Sequence, residues 1–370
     1  MLVGVPKEIK DNEFRVGMVP SSVMELTHHG HQVIIQKGLG DGISLTDEDY
    51  EKAGAKVVET ADDVFEQAEM IVKVKEPQPE EISMLNSGQV LFTYLHLAPD
   101  MAQTEGLMKS GVTAIAYETV TAKGILPLLA PMSEVAGRLA VQAGAHCLEK
   151  ENGGAGVLLG GVPGVDSAHV LIIGGGIVGE NAAYIAKGMG AHVTILDNSV
   201  PRLRELDNHF AGRVNCVFSN KASIEKYALQ AHLVIGAVLV AGAEAPELVS
   251  ADLVSRMRKG SVLVDVAIDQ GGCIATSHPT THSEPTFIVD DVVHYCVANM
   301  PGVVPRTSSF GLNNATLPYI LRLADAGWKK ALSSDSGFLA GLNVHQGHIC
   351  CEAVANAHGL NYADPEQFLI

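Results

Sequence analysis

The chain has 370 residues, of which 47% are apolar, so it can bury the cores of two domains. Its formal net charge of −17 argues against a nucleic-acid partner or an anionic membrane surface. No apolar run approaches the roughly 18 residues a membrane helix needs, and the N-terminal MLVGVPKEIK lacks the pattern of a secretory signal. The six cysteines are scattered without a CxxC pair, which suits reduced thiols in a cytoplasmic protein rather than a disulfide frame or a zinc site.

In chain order, Met1 to about Ala130 alternates strand and helix patterns and predicts a mostly parallel sheet. Leu2 to Val5 reads as a strand, Glu8 to Met18 as a charged loop carrying Arg15, Pro20 to His28 as a helix and Gln32 to Ile35 as a strand. Ala61 to Ala68 reads as the next helix. Met70 to Val74, Val90 to Tyr94 and Val112 to Tyr117 are further strands, the last ending near Glu118. Lys75 and His96 fall just beyond strand ends, where open α/β sheets bind ligands. Each has a plainer reading: Lys75 as a solvated loop charge, His96 as an ordinary loop histidine, and Arg15 as a surface partner of Glu13.

Pro131 to about Lys150 predicts a helix capped by Ser133, with Val135, Leu139, Ala143 and Cys147 at helical spacing. The glycine-rich stretch from Asn152 to Gly164 reads as a linker or hairpin.

His169 to Asp197 is the most informative stretch. An apolar run, Val170 to Ile173, leads into Gly174, Gly176 and Gly179 in the pattern GxGxxG. A helix comes next, with Ile177, Ala182, Ile185, Ala186 and Met189 on one face, and then a second apolar run ending in Asp197. The first glycine permits the turn, the second lets backbone approach a pyrophosphate, and the third lets helix pack on strand. The helix N-terminus offers unpaired N–H groups to phosphate. Asp197 suits the ribose hydroxyls of NAD and would repel a 2′-phosphate, although Arg202 close behind could hold one.

Val214 to Phe218 and Leu233 to Gly236 continue this second sheet, and Ala237-Val238-Leu239 is expected to line its cofactor cleft. Ser250 to Met257 reads as a helix, Ser261 to Val266 as a strand opening onto Asp269, and Val292 to Tyr295 as a strand. Asp269 is either an acid facing the nicotinamide end of the cleft or a solvated loop aspartate. Asn313 or Asn314 is expected to cap a helix with Leu317, Ile320, Leu321, Ala324 and Trp328 on its apolar face. The tail from about Arg306 onward reads as helical and is placed on the first domain. The expected division is residues 1–130 with 306–370 as a discontinuous substrate domain, and 131–305 as a dinucleotide-binding domain.

The segments VGVPKEIKDNEFRVGMVP, VKVKEP, TYLHLA, GGVPGV, VDVAIDQGGC and VANMPGVVPRTS, with the glycine fingerprint, carry a resemblance. Along essentially its whole length the chain resembles bacterial alanine dehydrogenases, in a family that includes the NAD-binding part of proton-translocating transhydrogenase. The resemblance implies two Rossmann-like α/β domains joined by long helices and NAD as cofactor. The implied reaction is reversible oxidative deamination of L-alanine to pyruvate and ammonium, in a cytoplasmic homohexamer.

It further implies that Arg15 and Lys75 bind substrate and that His96 and Asp269 are acid/base groups. Cofactor contacts would fall on Ser133, Gly174, Gly176, Ile177, Val178, Gly179, Asp197, Arg202, Ser219, Val238, Leu239, Val266, Ala267, Ile268, Asp269, Val297, Ala298, Asn299 and Met300. His278 departs from the pattern, which has an arginine there. Arg322 and Ala326 stand where some relatives carry Glu and His one turn apart, so no metal is expected. Two alternatives stay open: a dehydrogenase of another small amino acid, and a non-catalytic NAD-binding subunit of a transhydrogenase-like complex.

Overall fold

The computed structural model describes residues 1–238 and 245–369. Two compact units emerge, Met1–Met132 with Val304–Ile370, and Ser133–Val303. Among the described residues no helix is long and apolar enough to cross a membrane.

The first unit is built on strands β1 (Leu2–Val5), β2 (Gln32–Gln36), β3 (Lys56–Val58), β4 (Met70–Val72), β5 (Val90–Thr93) and β6 (Thr113–Ala116). The second contains β7 (His169–Ile173), β8 (His192–Asp197), β9 (Asn215–Phe218), β10 (Leu233–Gly236), β11 (Val262–Asp265), β12 (Thr286–Val289) and β13 (Val292–Tyr295). Two last strands, β14 (Leu342–His345) and β15 (His348–Ile349), return to the first sheet. Its order is β15-β14-β6-β5-β4-β1-β2-β3, and that of the second is β12-β13-β11-β10-β7-β8-β9. Six strands of each sheet run parallel in the doubly wound order 3-2-1-4-5-6. Strands β4, β5, β6, β10 and β11 are buried along their length, as continuous apolar runs in parallel sheets must be.

Several sequence expectations need correction. The tail is not wholly helical: β14 pairs antiparallel with β6, so it extends the first sheet as well as packing on it. Asn313 is no cap. It lies inside the helix Pro305–Ala326, whose buried face is Ser308, Ser309, Leu312, Asn313, Thr316, Ile320, Leu323 and Ala324. Four of those eight side chains are polar, which hid the face from a hydrophobic count. They are buried because they satisfy backbone: Asn313 Oδ1 accepts from Val19 N (2.7 Å) and Ser309 Oγ from Val16 N (3.1 Å). Trp328 begins a separate helix, Trp328–Ser333.

Ser133 is no cap either. The helix runs Ala130–Cys147, and the bond from Ala130 N to Leu126 O starts its winding before Pro131. In the helix Ile177–Gly188 the buried residues are Gly179, Ala182, Ala183 and Ala186, whereas Ile177 and Met189 are exposed. Close helix–sheet approach selects the smallest side chains, so the small stripe rather than the large one faces inward. The short strands β3 and β12 had no period-two signal strong enough to be read.

Candidate active site

Each unit presents its candidate residues at the carboxyl ends of its parallel strands. In the first unit the long link from Pro6 to Val19, after β1, carries Glu8, Glu13 and Arg15, all nearly buried. Arg15 pairs with Glu13, but inside the protein rather than on its surface. Glu13 Oε1 accepts from Arg15 Nε (2.7 Å) and backbone N (3.0 Å), and Oε2 from Nη2 (2.5 Å). Arg15 Nη1 lies 3.1 Å from Met132 Sδ. Burial works against the guanidinium charge, yet Glu13 holds its pKa above the ordinary arginine value. Gly17 lets this link press on β4, since a Cβ there would sit 2.5 Å from Val72 O. Arg15 is thereby brought beside the end of β4.

Beyond β4 the segment VKVKEP holds two lysines with different surroundings. Lys73 is fully buried between Glu8 Oε2 (2.9 Å) and Glu81 Oε1 (2.7 Å). Two carboxylates keep its pKa above the ordinary lysine value against the effect of burial, while burial pushes Glu8 up. Lys75 is partly exposed, with Nζ 3.8 Å from Glu76 Oε2. Glu8 Oε1 accepts from Val74 N (2.7 Å) and Lys75 N (3.3 Å), and Thr93 Oγ1 donates to Lys75 O (2.9 Å), so the lysine's backbone is fixed from both sides.

Beyond β5, His96 is exposed and has φ +48°, in the left-handed region. That conformation costs a non-glycine residue about 1–2 kcal/mol. It is offset locally. Glu118, just after β6, accepts from His96 N (2.7 Å) and Leu95 N (3.1 Å) through Oε1. Hydrogen bonds to a charged group contribute about 1.5–3 kcal/mol each, enough to hold the strained residue. The His96 ring stacks on Tyr94, with centroids 5.8 Å apart and planes 13° from parallel.

In the second unit the turn after β7 has the geometry the glycine spacing requires. Gly174 has φ +106°, and a Cβ on it would lie 2.6 Å from Ala237 O. A Cβ on Gly179 would lie 1.9 Å from Gly174 O, so helix and turn touch there. At Gly176, the cap of the helix Ile177–Gly188, nothing lies within 4 Å of the Cβ position. That open face, with Ile177 exposed and Val178 half-buried beside it, is where backbone N–H groups can meet a phosphate.

Asp197 closes β8, with Oδ2 accepting from Gly175 N (2.8 Å) and Oδ1 from Ser199 N (2.8 Å). A carboxylate accepts about four hydrogen bonds, so capacity remains for two ribose hydroxyls. Ser219 sits beside it, its N bonded to Asp197 O (2.9 Å). Arg202 is engaged by Gly175 O (2.7 Å), by Glu205 (3.0 Å) and by Glu180. Two carboxylates on one guanidinium leave no excess positive charge for a 2′-phosphate.

Ala237 is buried and Val238 half-buried after β10, while Leu239 lies outside the described residues. After β11, Val266, Ala267, Ile268 and Asp269 form a short helical turn, Val266–Gln270. Asp269 is exposed, and its Oδ1 accepts from Asn299 N (3.2 Å), which joins this turn to the segment Val297, Ala298, Asn299 and Met300. His278 stacks on Phe287 with centroids 3.7 Å apart.

Sequence reasoning passed over Lys73, Glu8, Glu118 and Asp265. Asp265 ends β11 fully buried, accepting from Ala267 N (3.2 Å), Cys273 N (3.0 Å) and Ile274 N (3.2 Å) around the turn that carries Asp269. Burial pushes its carboxyl up. Both Asp265 and Glu118 stand at strand ends, the rule that drew attention to Lys75 and His96, but each was overshadowed by a more reactive neighbour.

Known proteins resemble this chain in sequence and fold. Residues 4–136 match the profile "Alanine dehydrogenase/PNT, N-terminal domain" and residues 140–352 the profile "Alanine dehydrogenase/PNT, C-terminal domain". The chain is 58% identical over 365 residues to an alanine dehydrogenase of Halomonas elongata, covering 98% of each chain. It is 54% identical to that of Mycobacterium tuberculosis, covering 100% of both. A solved L-alanine dehydrogenase, 54% identical, superimposes with TM-score 0.94 over 97% of this chain and 99% of the other. A transhydrogenase structure from Sinorhizobium meliloti, 25% identical, gives 0.83 over 94% of this chain and 100% of the other. The two profiles cover most of the chain and the relatives match it along its length, so the chain belongs to the alanine dehydrogenase/PNT family.

Proposed function

We propose that this protein is an NAD-dependent L-alanine dehydrogenase, interconverting L-alanine with pyruvate and ammonium. The observation that carries the reading is the set Arg15, on the link that follows β1, with Lys75 and His96 beyond the ends of the adjacent strands β4 and β5, each seated by a carboxylate. Pure nucleotide binding needs none of the three. NAD fits the second unit through the open Gly176 face and the Asp197 carboxylate, and the neutralised Arg202 favours it over NADP. Bound there, NAD supplies the hydride acceptor.

The rest of the chemistry falls to side chains. Arg15 and Lys75 hold the substrate carboxylate and the developing carbonyl, fixing the orientation of the α-carbon. Loss of hydride leaves an iminium; water must add to it, and the resulting carbinolamine must lose ammonia. Both steps move protons, and His96, with a reference pKa of about 6.5, suits that task at neutral pH. Asp269 orients or deprotonates the water. Val266 to Ile268 and Val297 to Met300 line the cofactor, and Ser133 and Ser219 contact it. Arg322, ion-paired with Asp335 at 3.0 Å, stands where some relatives carry a glutamate, so we assign no metal to the reaction. The same reading carries a cytoplasmic homo-oligomer, by family a hexamer.

The experiment is NADH formation, measured by absorbance, with NAD and each of a panel of L-amino acids. Fast turnover confined mainly to L-alanine is expected. One methylene is worth only about 1–3 kcal/mol, so weaker turnover of 2-aminobutyrate or serine accords with the reading. Preference for a different amino acid would move the substrate assignment, and tight NAD binding without any turnover would overturn it.

A further inference from the structure

We propose that Glu118 is a positioning residue for the reaction. Its carboxylate, by accepting the backbone N–H groups of Leu95 and His96, fixes His96 in the left-handed conformation from which its ring works. The proposal rests on the acid/base role of His96 given above.

Three observations converge on it. Glu118 lies in the turn Tyr117–Thr119 after β6, the neighbour of β5 in the sheet, so its side chain reaches the end of the adjacent strand. Two N–H groups, Leu95 N at 3.1 Å and His96 N at 2.7 Å, converge on Oε1, with Leu95 N also 3.2 Å from Oε2. A carboxylate suits such a pair: Oε1 accepts from both, and Oε2 also accepts toward Leu95 N, where a glutamine would present its NH₂. Side chains also hold other backbone groups of this loop. Gln103 Nε2 donates to Leu95 O (2.8 Å), and Thr104 Oγ1 (3.2 Å) and His358 Nε2 (2.8 Å) contact Leu97 O.

The backbone on either side of His96 is thus pinned by groups from outside its own strand. Strained backbone persists where its surroundings over-determine it, and it concentrates at functional sites. Of these pins, Glu118 alone bonds to His96 itself. Without it, His96 can relax to the ordinary extended region, and its ring turns away while the rest of the loop stays held.

The test uses the intact enzyme as E118A, E118Q, H96A and the double variant H96A/E118A. Turnover of L-alanine, KM for L-alanine, NADH affinity by fluorescence and thermal midpoint are read for each. A misplaced catalytic group costs up to about 100-fold, so E118A is expected to lose about 10- to 100-fold in kcat and E118Q less. KM for L-alanine and NADH affinity are expected within about twofold of wild type. The double variant should match H96A within about twofold, because coupled residues are non-additive and nothing remains to be positioned. If E118A folds poorly, E118Q, which keeps the length and one acceptor, carries the comparison. Losses that multiply in the double variant would overturn the proposal, as would wild-type kcat in both Glu118 variants while H96A is inactive. An H96A enzyme as fast as wild type would remove the His96 assignment and the proposal together.

Discussion

The six parallel strands of the two sheets share one order, and the sheets differ in the link that leaves their first strand. In the second unit, β7 passes to its helix through three glycines, Gly174 to Gly176, and the site is made of backbone. In the first, β1 passes to its helix through the charged link from Pro6 to Val19, and the site is made of side chains. Glycines leave helix N–H groups open to a phosphate. Arginine, lysine and histidine, each propped by a glutamate, offer charge and protons instead. In the proposed function one fold supports a cofactor site and a reaction site, and the difference resides in the loops and not in the sheet.

The strongest way to break this comparison is to remove a reactive side chain from the first unit. Lys75→Ala should lower kcat/KM for L-alanine by about 100- to 1000-fold, the scale of losing one charged contact to developing charge. NADH affinity should not change, since the second unit is untouched. Steady-state kinetics and a fluorescence titration of the same preparation check both parts.

Lys73 provides a contrast within one segment. Lys73→Met removes the cation between two buried glutamates, and breaking a buried ion pair this way costs about 3–5 kcal/mol. Denaturant unfolding should show that loss, whereas Lys75→Ala should move the midpoint little.

The glycines of the second unit divide in the same manner. Gly176→Ala adds a methyl to open space, so its fold should survive while KM for NAD rises about tenfold, the methyl standing where backbone must approach phosphate. Gly179→Ala would collide with Gly174 O at 1.9 Å and should lower the thermal midpoint as well.

The smallest effect concerns pH. His294 is fully buried, and desolvation holds it below the ordinary histidine value of 6.5. His169 and His232, in the same unit, are lowered in the same direction and first by the same cause. For a depressed histidine the unfolded chain takes up the proton first, so stability is full above the unfolded pKa and falls as pH drops through 6.5 toward the folded value. Thermal midpoints measured across that window should fall on acidification, and His294→Gln should flatten the fall.

Much of this was legible in the chain itself. The glycine spacing, the apolar runs of β7, β8, β10 and β13, and the strand-end positions of Lys75 and His96 all come from local rules with a steric or electrostatic cause. The features that stayed hidden depend on distant partners. The buried face of the helix Pro305–Ala326 is half polar because Ser309 and Asn313 satisfy the backbone of Val16 and Val19, almost three hundred residues earlier. Strand β14 is set by pairing with β6, not by its own pattern. Lys73 and Lys75 stand two residues apart in VKVKEP, and only the placement of Glu8 and Glu81 tells the buried ion from the one near solvent.

The division of labour between the units is tested most directly by one variant. In His96→Ala, NADH affinity and L-alanine turnover should be measured on the same preparation. The account predicts wild-type NADH affinity with kcat lower by about 10²- to 10⁴-fold, the usual contribution of a positioned acid/base. Turnover near that of the wild type, or loss of NADH binding together with turnover, would contradict it.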